Sequence, residues 1–113
     1  MPSDPAQPSQ PQPQPRPEVV RDAVRSLVQD TANIQWRKHA LERMVKRDIT
    51  DRMALDVMRK GYMKGGVEAG KDPDEWVIKL AEQMKSGREV GVVVSVVGWA
   101  KLRVITVEWE DVR

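Results

Sequence analysis

The chain has 113 residues, no cysteine, one histidine and a net charge of only +2. That length gives room for one domain. The absence of cysteine excludes a disulfide framework, a zinc–thiolate centre and a thiol nucleophile, and a single histidine excludes a multi-histidine metal site. No apolar run reaches the roughly 20 residues that span a bilayer. The start has neither the basic patch nor the apolar stretch of a signal peptide, so a cytoplasmic location with no membrane partner is the default expectation.

Residues 1–17 are almost wholly Pro, Gln, Ser and Ala, and every proline but Pro73 lies there. Such a segment has little to bury and few backbone donors, and it reads as a solvated, partly polyproline-II leader. Residues 18–33 read as an amphipathic helix, with Val20, Ala23, Val24, Leu27 and Val28 on one stripe. That stripe can pack on its own chain or meet a partner. Residues 34–110 then form the main domain.

Within that domain Ile34–Arg37 is a short strand candidate, followed by a helix over 38–47. A third helix has Thr50 as N-cap, Asp51 in its first turn, Arg59 and Lys60 in its last, and Gly61 at C′. Ile49 suits a hydrophobic staple. From Met63 to Asp74 the pattern reads as loop. Residues 76–84 alternate as a strand does, although a helix through Trp76, Leu80 and Met84 is the other reading. Val90–Val97 is nearly all valine and predicts a central strand; Leu102–Trp109 returns beside it after a turn at 98–100. The fold class expected is α+β: N-terminal helices packed on one face of a three- to four-stranded antiparallel sheet.

Chemistry concentrates on the second helix. At roughly 100° per residue, with His39 at zero, Arg43 falls near 40°, Arg47 near 80° and Lys46 near −20°. Ala40, Leu41, Met44 and Val45 take the complementary arc. Guanidinium forks grip phosphate, and an imidazole can give or take a proton near neutral pH. From Ile34 to Lys64 there are nine basic residues against four acidic, whereas residues 65–113 carry seven against nine. Positive charge is thus confined to the helical half, which suits a phosphate or RNA ligand. Ordinary solvation, or pairing of Arg43 and Arg47 with Asp48 or Asp51, would also account for such a face. Other motifs fall short: Pro73-Asp74 is not followed by the Asp/Glu-x-Lys of a nuclease strand, and Gly65-Gly66 lacks the Lys-Ser/Thr of a phosphate loop. Asp72, Asp74 and Glu75 are the one carboxylate cluster. Trp36, Trp76 and Trp109 read as core aromatics and Trp99 as exposed.

The run IQWRKHALERMVKRDITDRMALDVMRKG resembles a bacterial family catalogued as domain of unknown function four-two-five-eight. The resemblance rests on Ile34, Trp36, His39, Ala40, Arg43, Met44, Arg47, Ile49 and Thr50, with Val104-Ile105-Thr106-Val107 similar to the family's last strand. The chain departs from the pattern with Arg37 where the family has Ser or Thr, with the extra helix at 18–33 and with a long loop from Gly65 to Asp74. The family is related to the barnase/colicin/RelE-like ribonuclease toxins. The resemblance implies a RelE/barnase-like fold and a metal-independent, toxin-like endoribonuclease with no cofactor, in which a ribose 2′-OH attacks the scissile phosphate. It makes His39, Arg43, Arg47 and Thr106 the catalytic candidates; Lys46 on the same helix face, and Lys79 and Arg88 from the sheet if they face the helix, are further expected RNA contacts. RNA, ribosome-associated or free, and an antitoxin protein are the implied partners. A non-catalytic RNA- or protein-binding module of the same fold is the alternative.

Overall fold

The buried centre of the protein is a valine strand. Val90, Val92, Val94 and Val96 are fully buried, and together they form one face of a strand running from Glu89 to Val97. The computed structural model describes residues 13–110. In chain order it contains α1 (Pro17–Leu27), a single 3-10 turn (Thr31–Asn33), β1 (Ile34–Trp36), α2 (Lys38–Arg47) and α3 (Asp51–Lys60). These lead into β2 (Tyr62–Met63), β3 (Glu68–Ala69), β4 (Glu75–Gln83), β5 (Glu89–Val97) and β6 (Lys101–Trp109). The helix-on-sheet α+β class is as expected. The sheet, however, has six strands among the described residues, in the order β1-β6-β5-β4-β2, with β3 also pairing β4.

Two differences from the three- to four-stranded antiparallel expectation have physical causes. β1 lies parallel to β6, Ile34 opposite Leu102 and Trp36 opposite Val104, because the whole α2–β5 stretch intervenes as a crossover. β2 and β3 are two-residue strands taken from what reads as loop, and they are too short to show a period of two. Both stitch onto the outer edge of β4, at Leu80–Ala81 and Trp76–Val77, and so cover an edge that would otherwise stand open. The β4–β5–β6 meander is antiparallel as expected, with residues 76–83 in strand.

One face of the sheet carries Trp76, Ile78, Leu80, the β5 valines, Leu102, Val104 and Val107, and all three helices pack there. α1 contributes Val20, Val24 and Val28, each fully buried, so its stripe is spent within its own chain. α1 ends at Leu27 rather than near residue 33, since Asp30 accepts the Ala32 amide and turns the chain toward β1. Thr50 caps α3 as expected, its hydroxyl accepting the Met53 amide at 3.1 Å, and Ile49 is buried ahead of it. Gly61 is not left-handed (φ −70°). What requires glycine there is close approach: a Cβ would lie 2.5 Å from the Val57 carbonyl oxygen and 2.8 Å from that of Ala81. The leader lies largely outside the described residues. No helix among the described residues is long and apolar enough to cross a membrane.

Candidate functional site

α2 is held at both ends by β6. At its start the Arg37 amide donates to the Val104 carbonyl at 3.1 Å. At its end the Trp109 indole N–H donates to the Arg47 carbonyl at 2.9 Å, and Arg47 Nη1 donates to the Val107 carbonyl at 3.1 Å. Asp48 closes the helix in left-handed backbone, with the Ile49 amide donating back to Met44. Ala40 and Met44 enter the core. This anchoring fixes which way the remaining faces of the helix look.

The outward face holds His39, Glu42, Arg43, Lys46 and Arg47, which together line an open depression of about 540 Å³. His39 and Lys46 are exposed, while Arg43 and Arg47 are half-buried. No ion pair joins Arg43, Lys46 or Arg47 to a carboxylate among the described residues, so the pairing with Asp48 or Asp51 that the spacing allowed is not made. The guanidinium of Arg47 spends one donor on Val107 and keeps the rest of its fork. Glu42, which spacing alone did not single out, lies one turn from His39 and Lys46 on this face. A third face of α2 leaves Leu41 and Val45 exposed, Val45 at 84%.

The sheet-borne candidates separate into two places. Arg88 stacks its guanidinium over the Trp109 ring, 3.9 Å from the centroid, and Trp109 in turn bonds Arg47, so this cation is linked to the far end of α2. Thr106 and Lys79 are not brought to α2. A bulge leaves Ile105 unpaired and sets Thr106 opposite Val93, which itself faces Lys79 across the sheet; that row alternates with the core-facing one and looks away from the helices. Lys79 is enclosed there by Glu108 at 3.0 Å and Glu110 at 2.8 Å.

That second sheet face carries a charge network which the sequence pattern did not reveal, because its members come from four separate segments. Lys64 reaches Glu110 at 3.0 Å and Glu89 at 3.2 Å, and the Tyr62 hydroxyl donates to Glu89 at 2.6 Å. Hydrogen bonds to Glu110 and Glu89 raise the Lys64 pKa, and the bond to Glu89 raises that of Tyr62. Burial of Glu110 opposes its ionisation, but the bonds from Lys79 and Lys64 prevail and hold its carboxyl below the usual range. Burial likewise works against a charged Lys79, and its bonds to Glu110 and Glu108 outweigh it, leaving the ammonium pKa raised. Two lysines against three glutamates make this cluster a poor phosphate clamp. Farther along, the carboxylates at 72–75 divide: Glu75 is buried, whereas Asp72 and Asp74 stay exposed. Glu75 accepts from Ser95 at 2.6 Å and from Arg103 at 3.3 Å, and Asp72 accepts from Arg103 at 3.1 Å. Its desolvation is outweighed by the Ser95 hydroxyl, the Asp72 amide and Arg103, so the Glu75 pKa is lowered.

Among the described residues no group of three or more His, Asp or Glu side chains could hold a metal ion. No family model, curated protein or solved structure matches the chain.

Proposed function

We propose that the protein binds RNA through the outward face of α2, with Arg43, Lys46 and Arg47 on the phosphates. The observation that carries this reading is that three cations line one open depression without a carboxylate partner among the described residues, on a helix anchored at both ends. Lys64 and Lys79 on the far face of the sheet, by contrast, are each held by two glutamates. Arg43 and Arg47 lie four residues apart, about 6 Å along the helix axis, and offer forks for bidentate phosphate contact. RNA is preferred among polyanions on the strength of the resemblance to the RelE/barnase-like ribonucleases.

A second reading is favoured by one further feature, the presence of His39 and Glu42 in the same depression. A base and an acid within reach of a clamped phosphate are what 2′-OH attack requires. In that case Glu42 or His39 accepts the 2′-OH proton, the other protonates the leaving 5′-oxygen, and the arginines stabilise the pentavalent phosphorane. An antitoxin-like inhibitor covering the depression belongs to this reading. One experiment separates the two: the purified protein is incubated with mixed-sequence RNA in EDTA, and both retention and chain length are followed. Salt-sensitive retention of intact RNA, lost in Arg43→Ala/Arg47→Ala, supports binding alone. Cleavage that disappears in His39→Ala supports the nuclease, and neither retention nor cleavage overturns both readings.

A further inference from the structure

β1 is the edge strand of the sheet and leads directly into α2, while Gln35, Arg103 and Lys101 share the sheet face turned away from the helices, so a ligand on α2 reaches them around the β1 edge. Between β1 and the start of β6 is a depression of about 430 Å³ lined by Ala32, Asn33, Ile34, Gln35, Lys101 and Arg103. That volume lies within the ordinary range for a small-molecule site. The hydrogen bonds around it fix the orientation of two amide groups. Arg103 Nε, which can only donate, reaches Gln35 Oε1 at 3.1 Å, so the Gln35 NH2 group is left without a partner among the described residues. The Leu27 carbonyl, which can only accept, takes Asn33 Nδ2 at 3.0 Å, so the Asn33 oxygen is left as an acceptor. Arg103 is itself held by Asp72 and Glu75, which keeps Gln35 in place. The wall of the depression therefore presents one donor group and one acceptor, with the exposed ammonium of Lys101 beside them.

We propose that this depression is a nucleobase-reading subsite for single-stranded RNA, an inference that rests on the RNA-binding reading of α2. A donor and an acceptor lining one depression suit the Watson–Crick edge of an unpaired base, which is occupied in a duplex. Gln35 is four positions from His39, at most about 14 Å of extended chain, and Arg43 is about 6 Å farther along the helix, so a strand of a few nucleotides passing the β1 edge can place phosphates on α2 and a base here. Lys101 takes the phosphate of that nucleotide.

The test measures the affinity of the full chain for a short single-stranded RNA and for the same oligomer with abasic sugars. The unaltered protein binds the base-bearing strand about tenfold more tightly, the range of one good base contact. Gln35→Ala removes most of that ratio and leaves the salt dependence unchanged, because every phosphate contact is kept. Gln35→Glu, which keeps the oxygen that holds Arg103 but removes the donor, removes the ratio as well; its added charge acts equally on both oligomers. Arg43→Ala weakens both oligomers alike and reduces the salt slope. Equal affinity for the base-bearing and abasic strands, or a ratio unchanged in both Gln35 variants, overturns the subsite while the α2 reading stands. Failure of the unaltered chain to bind either strand overturns both.

Discussion

Glu110 is a side chain whose role lies wholly in its neighbours. Its carboxylate is only 7% exposed, sits between the ammonium groups of Lys64 and Lys79, and lies over Gly91, where any larger residue would collide with it. A carboxyl whose pKa is lowered by folding stabilises the native state above its unfolded pKa, near 4.3 for Glu, and that contribution is lost as pH falls through the lowered folded value. Glu75 follows the same rule. The urea midpoint should therefore fall as the solution is acidified below about pH 4. Glu110→Gln should cost about 1–2 kcal/mol at neutral pH and show a flatter acid limb, since it removes one of the two carboxyls whose pKa folding lowers. Gly61 makes a steric prediction of the same scale. With two carbonyl oxygens in the way of a Cβ, Gly61→Ala should destabilise by about 2–3 kcal/mol in chemical denaturation, although its φ is accessible to any residue. Glycine at that position was legible from the capping pattern; the reason for it was not, because the Ala81 oxygen belongs to a strand 20 residues away.

At the scale of elements, α2 is the piece on which function turns, and its span was readable because its periodic face lies between a strand candidate and the Thr50 cap of the next helix. α3 was readable through Thr50, and β5 through its run of valines. What pattern could not supply was pairing. β2 and β3 owe their existence to β4, and the placement of Thr106 depends on a bulge of one residue that moves it to the face away from α2. A one-residue shift reverses a strand's faces, so no sequence period could have assigned that side chain. The anchoring of α2 gives its own prediction. Trp109→Phe keeps the ring in the core but removes the indole donor to the Arg47 carbonyl. It should cost about 1 kcal/mol of stability and raise amide exchange at the end of α2 more than in β5. Equal protection losses in both elements would show that the bond does not hold the helix end.

Across the whole molecule the charge is divided by layer. The helical segment from Ile34 to Lys64 carries the excess of basic residues, and on α2 it leaves them unpaired by carboxylates among the described residues. On the far face of the sheet Lys64 and Lys79 are bound to glutamates. A net charge of +2 conceals this division, but the count by segment already exposed it. The grouping of His39, Arg43, Lys46 and Arg47 was also legible, since four positions on one helix need no tertiary information. The network of Tyr62, Lys64, Lys79, Glu89 and Glu110 was not, since only the sheet register assembles it. The most direct test of the central claim is the salt dependence of single-stranded RNA binding by the unaltered chain and by Arg43→Ala/Arg47→Ala. If both arginines neutralise phosphates, the slope of log K against log salt should be shallower by about 1.4 in the double variant, about 0.7 for each arginine removed. An unchanged slope and affinity would contradict the assignment of α2 as the phosphate-binding face.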